Sequence, residues 1–115
     1  MGFSSGGLTT TDLAALVGDW QWLGEISQQA LADGLPGVVD DVRSMVTPWG
    51  FGPADITAPV LLVHGDADRV VPSSHGQWLA RQVHTAQLWL RPADGHIAVL
   101  TACSAALDWL VAHAG

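Results

Sequence analysis

Apolar positions recur every three or four residues over the first third of the chain, at Leu13, Leu16, Val17 and Trp20 and then at Leu23, Ile26 and Ala30. That spacing predicts amphipathic helix. Thr11 is the expected N-cap, Gly18 marks a break, and Gly34 ends the segment. Before it, residues 1 to 7 are small and Gly/Ser-rich and read as a flexible lead-in. Pro36 suits the first turn of a second helix, where a missing N–H costs nothing. Val38, Val42, Met45 and Val46 form its apolar side, and Asp40, Asp41, Arg43 and Ser44 its polar side. Thr47-Pro48 stops it, because proline restricts the residue before it and cannot extend the hydrogen-bond ladder.

The pattern changes after the Trp/Phe/Gly loop of Pro48 to Pro53. Pro59 to Val63 is apolar at every position, as in a parallel strand covered on both faces. Ser73 or Ser74 caps a helix with Trp78, Leu79 and Val83 on one side and Gln77, Arg81 and His84 on the other. Ala86 to Leu90 reads as a second strand. His96 to Ala112 reads as one long helix, with Leu100, Cys103, Leu107 and Leu110 on its apolar face. The fold class is therefore α/β, two parallel strands with flanking helices, preceded by an all-helical portion. The division falls between residues 1–47 and 48–115.

Composition narrows the class of partner. The 115 residues carry 4 Arg+Lys, all arginine, against 11 Asp+Glu, for a formal net charge of −7. Such a surface repels phosphate backbones and lacks the basic face that adsorbs to anionic lipid, so neither nucleic acid nor a membrane is expected. No apolar run approaches the ~18 residues of a span. The lone Cys103 cannot form an intrachain disulfide, which favours a reducing compartment. Together with the lack of a secretory pattern, this makes the expected location cytoplasmic. No histidine pair has metal-ligand spacing with a third candidate, so no metal and no cofactor are expected.

Candidate chemistry gathers after the two strands, where open α/β sheets collect their functional groups. The first strand runs into V-L-L-V-H-G-D-A-D-R-V-V-P, Val60 to Pro72, and the second into L-W-L-R-P-A-D-G-H, Leu88 to His96. A carboxylate after one strand and a histidine after the next suit an acid that holds an imidazole. H-G-x-x-D-x-x-V-P followed by D-G-H resembles the closing third of α/β-hydrolase-fold enzymes. The stretch D-D-V-R-S-M-V-T-P-W-G-F, Asp40 to Phe51, is similar to the cap-to-core link of a bacterial subgroup that includes proline-iminopeptidase-like members. The resemblance implies the C-terminal part of an α/β-hydrolase fold behind cap-like helices. It makes Asp68 the triad acid and His96 the triad histidine of a serine hydrolase. Asp68 would accept the Nδ1 proton of His96, and His96 would move the proton of a nucleophile to the leaving group.

Other readings stay open beside these. Asp66 is the rival acid or a turn cap, His64 a strand-end histidine satisfied by backbone, and Asp94 a turn residue. Arg69 is expected to pair with a carboxylate. Trp49, Phe51 and Trp78 are expected to pack in the core, as is Cys103. Trp20 and Trp22 either pack or wall an apolar substrate pocket. Gly65 and Gly95 are expected to allow sharp turns.

The nucleophile is the weak point. Gly2 to Gly6 reads G-F-S-S-G, with Ser4 at the nucleophile position of G-x-S-x-G. No strand precedes it to hold Ser4 at the top of a sheet, so a chance match in a Gly/Ser-rich tail is the preferred reading. The expected substrate is a small ester, amide or short peptide with an apolar group. The expected partners are a second copy of the chain or a complementing N-terminal hydrolase half. The alternative is a non-catalytic, truncated relative that serves as an interaction module.

Overall fold

The computed structural model describes residues 7–114, and the statements below concern those residues. The first helix, α1, spans Thr10–Val17. A capping box sets its start: Asp12 N–H donates to the Thr9 hydroxyl at 3.2 Å, and Thr9 N–H donates to Asp12 Oδ2 at 3.0 Å. The cap is thus Thr9 and not Thr11, because only Thr9 has an acidic residue three positions on. Thr11 turns outward, where its hydroxyl donates to the Ala93 carbonyl at 3.3 Å. After the expected break at Gly18 the chain forms α2, Trp22–Ala30, and Gly34 then takes a left-handed φ of +101°. Helix α3, Pro36–Val46, has its proline in the first turn and stops at the extended Thr47.

Strand β1, Val60–Gly65, and strand β2, Ala86–Arg91, form a parallel two-stranded sheet joined through helix α4, Ser73–Gln82. Helix α4 starts without a side-chain cap, behind Pro72. The register pairs Val60 with Ala86 and Gly65 with Arg91, so both strands end at the same level. The mixed α/β class expected from the pattern is therefore present, with five α-helices among the described residues. The last segment is not one helix. A 3₁₀ turn over Ala98–Ala102 precedes helix α5, Cys103–His113. The cause is a contact from a distant part of the chain: a carboxylate outside this segment takes the backbone N–H groups of His96, Ile97 and Ala98, and the chain enters the helix through a tight turn.

Packing is thin. The buried apolar residues among those described are Val83, Ala98 and Ala102. The chain exposes 8117 Å², where a compact protein of its mass would expose about 6,000 Å². Three expectations about the core need correction on this ground. Trp49, Phe51 and Trp78 are exposed rather than core residues. Cys103 is exposed. The apolar face of α5 is open at Leu107 and Leu110. Two strands also cover less than the apolar pattern of β1 anticipates, and its side chains are only half-buried. For Trp78, Cys103 and the α5 face the physical reason is shared: a sheet of two strands has too little area to cover the helices laid against it, and both its strands are edges. Trp49 and Phe51 lie in the loop after α3 and pack on each other. Helix α3 is exposed along its whole length. No described helix is long and apolar enough to cross a membrane.

So small a core makes a contrast that can be measured. Val83→Ala is expected to cost about 2 kcal/mol of unfolding free energy in urea. Val111→Ala, at a residue 77% exposed, is expected to change it by less than about 0.5 kcal/mol. Equal losses from the two variants would contradict this assignment of the core.

Candidate functional site

The level ends of β1 and β2 decide which loops meet. Asp68 lies three residues past Gly65, and His96 lies five past Arg91. The first loop folds back at once, with Asp68 N–H on the Gly65 carbonyl at 3.2 Å and Ala67 N–H on the Asp94 carbonyl at 3.0 Å. Asp68 Oδ1 then accepts the N–H groups of Val70 and Val71, each at 2.9 Å. These two bonds turn the side chain so that Oδ2 meets His96 Nδ1 at 3.1 Å. The structure thus brings Asp68 and His96 together.

The protonation pattern follows from the partners. The Asp68 side chain is 5% exposed. Burial works against its ionisation, but the Val71 N–H, the His96 ring and the Val70 N–H outweigh that cost and hold its carboxyl below the ordinary value of 3.8. An ionised carboxylate only accepts, so Nδ1 of His96 carries the proton of this bond. In the neutral ring Nε2 is then an acceptor, and among the described residues it has no hydrogen-bond partner. The His96 side chain is 40% exposed, which leaves that nitrogen reachable. A histidine held in this way has the geometry needed to accept a proton at Nε2 while the carboxylate fixes its tautomer.

The neighbouring candidates take structural places. His64 Nε2 donates to the Val71 carbonyl at 2.7 Å and lies 3.5 Å from Asp68 Oδ2. Its ring sits against Gly76, where a Cβ would come within 2.6 Å of Nδ1. Asp66 accepts the Ala93 N–H at 2.7 Å and so clasps the loop after β2, where Ala93 has a left-handed φ of 62°. Asp94 pairs with Arg91 at 3.4 Å. Arg69, expected to pair, makes no ion pair among the described residues; it is exposed, and no described carboxylate comes within reach of it. Ser4 and the rest of G-F-S-S-G lie outside the described residues. No cluster of three or more possible metal ligands occurs among the described residues.

Two features escape sequence reasoning. The first is Asp12, whose side chain is fully buried. Its Oδ1 accepts the N–H groups of Ile97 and Ala98 at 2.8 Å each, and its Oδ2 those of His96 at 3.1 Å and Thr9 at 3.0 Å. Burial again opposes ionisation, and the Ala98, Thr9 and Ile97 amides, with the Thr9 hydroxyl, overcome it and hold this carboxyl below 3.8. The T-T-T-D spacing signals the local capping box, but nothing in the pattern signals partners 84 to 86 residues away. Asp12 also corrects the reading of Gly95. That residue has no positive φ; a Cβ there would collide with the Asp12 carboxylate, so glycine provides space and not a turn. Gly65 likewise lets the Asp94 carbonyl approach.

The second feature is an apolar cavity of about 410 Å³ with His96 in its wall. Leu8, Leu16, Leu23, Val70 and Ile97 supply most of the lining. Trp20 and Trp22 pack against each other with ring centres 5.8 Å apart and planes tilted by 44°, and they do not line it. Comparison of the chain with protein-family models, with curated proteins and with solved structures yields no match.

The two low carboxyl values set a pH window. Both groups hold protons more weakly in the folded chain than in the unfolded one, so the stability they contribute is whole above 3.8 and is lost as the pH falls below that value through the folded-state values. The melting temperature should therefore drop on acidification below pH 3.8. Asp12→Asn and Asp68→Asn should each flatten that drop. Variants with the native slope would contradict the assignment.

Proposed function

We propose that the chain carries the acid–histidine part of a serine-hydrolase site of the α/β-hydrolase type, with Asp68 as the acid and His96 as the general base. The substrate is an ester, amide or short peptide whose apolar group enters the cavity beside His96. The observation that carries this reading is the 3.1 Å contact between Asp68 Oδ2 and His96 Nδ1 at the ends of paired parallel strands. Its support is chemical. The pair leaves Nε2 as a proton acceptor at the edge of an uncharged, largely aliphatic cavity.

In the reaction the nucleophile's oxygen bonds to the substrate carbonyl carbon while its proton passes to His96 Nε2. Asp68 stabilises the imidazolium so formed. Collapse of the tetrahedral species breaks the bond to the leaving group, which takes the proton from Nε2. Water then repeats the sequence on the acyl group and regenerates the nucleophile. Ser4 is the nucleophile candidate within the chain. A complementing hydrolase half with its own elbow serine is the other source.

A second reading, a non-catalytic interaction module, draws on the open apolar face at Leu107 and Leu110. It predicts concentration-dependent association in sedimentation velocity that Leu107→Glu weakens.

The experiment that separates the two uses a fluorophosphonate probe and a nitrophenyl ester with an apolar acyl chain. The ester assay is run on the chain alone and after mixing with a polypeptide that carries an elbow serine and the preceding strands. The hydrolase reading expects turnover in at least one setting, and a loss of about 10³-fold or more on His96→Ala. Labelling of Ser4 would put the nucleophile in this chain. Turnover that survives His96→Ala, or no turnover in either setting, would overturn the reading.

A further inference from the structure

We infer that Asp12 is a positioning residue for His96: its carboxylate, reaching across from α1, clamps the backbone that presents the imidazole to Asp68. The importance of this clamp for catalysis rests on the hydrolase reading above, whereas the clamp itself does not.

The geometry of the carboxylate carries the inference. Its two oxygens accept four backbone N–H groups, three of them consecutive at His96, Ile97 and Ala98. His96 is thereby held at two points by two carboxylates. Asp68 holds the ring at Nδ1, and Asp12 holds the main-chain nitrogen of the same residue. With the backbone N–H and the ring nitrogen both tied, the imidazole has little freedom to swing off Asp68. A cap for the Ala98–Ala102 turn alone would be supplied more simply by a residue just before it in sequence. Here the group instead comes from a helix 84 residues earlier, and the intervening chain makes room for it by having no side chain at Gly95.

The same contact joins two parts of the site. Leu16, on α1, lines the cavity beside His96, and Ile97, one of the clamped residues, lines it as well. Docking of α1 through Asp12 therefore sets both the orientation of the base and one wall of the cavity. A side-chain contact of this kind is strong because it is buried and charge-assisted: the donors are fixed amides, and each lost bond would leave an amide unpaired.

Asp12→Asn is the informative substitution. Asparagine keeps the volume and one acceptor oxygen, but it turns an NH₂ group toward two of the four N–H donors. The readout needs no turnover. In the full chain labelled with ¹⁵N-histidine, the Nδ1 proton of His96 bonded to Asp68 is followed by NMR, with Asp68→Asn as the reference for its loss. Asp12→Asn is expected to weaken or abolish that resonance while far-UV circular dichroism stays native. Amide exchange at His96, Ile97 and Ala98 is expected to rise about tenfold or more. A folded Asp12→Asn chain that keeps the native Nδ1 resonance overturns the inference.

If Asp12→Asn fails to fold, native-state exchange on the unmodified chain decides instead. The clamp expects the opening that frees the α1 amides to free the His96 Nδ1 proton with the same denaturant dependence. An α1 that opens while that proton stays protected overturns it. Loss of the resonance in a chain with no esterase activity in any setting would keep the clamp and remove the hydrolase reading. An unchanged resonance together with His96-dependent turnover would do the reverse.

Discussion

Parallel pairing of β1 with β2 places the ends of the two strands at one level, Gly65 beside Arg91. Everything at the site is measured from that step. A shift of the pairing by one residue would turn the alternating side chains to the wrong faces and move one loop along the other by about 3.3 Å. That displacement exceeds the tolerance of a hydrogen bond. The 3.1 Å contact of Asp68 with His96 is accordingly a property of the register as much as of the two residues. The small groups at Gly65 and Gly95 serve the same end, since each admits a neighbour that a Cβ would exclude.

Around this pair the polar groups form a connected set. Asp66 clasps the loop after β2 through Ala93, Asp68 ties its own loop through Val70 and Val71, and Asp12 ties the backbone of His96, Ile97 and Ala98. All three carboxylates thus accept backbone amides, and Asp68 keeps its second oxygen for the His96 ring. These electrostatic ties order a region that has little hydrophobic core. Only Val83, Ala98 and Ala102 are buried apolar residues among those described, and Ala98 owes its place partly to the Asp12 bond. Order at the site and thinness of the core are compatible because hydrogen bonds to fixed amides act over one or two residues, whereas apolar burial requires area.

The exposed surface has the same origin. Helix α5 turns Leu107 and Leu110 outward, and α3 is uncovered from end to end. These faces have the residue pattern of covered ones. A two-stranded sheet cannot supply the covering layer, and this is why the apolar pattern overstates the core at Trp78 and Cys103.

The order of elements was legible in the residues themselves. Periodicity located the helices, the apolar run located β1, and Pro36, Pro48 and Gly34 punctuated them, because these signals act within a few positions of chain. The spacing of acid and histidine after successive strands was legible for the same reason, since it needs only strands that pair in parallel. What the residues could not declare is contact over distance. The tie from Asp12 to His96 spans 84 positions, and the cavity between α1, α2 and Val70 has no periodic signature. The extent of burial was equally hidden, for a residue's pattern says which face is apolar and only the assembled neighbours decide whether anything lies against it.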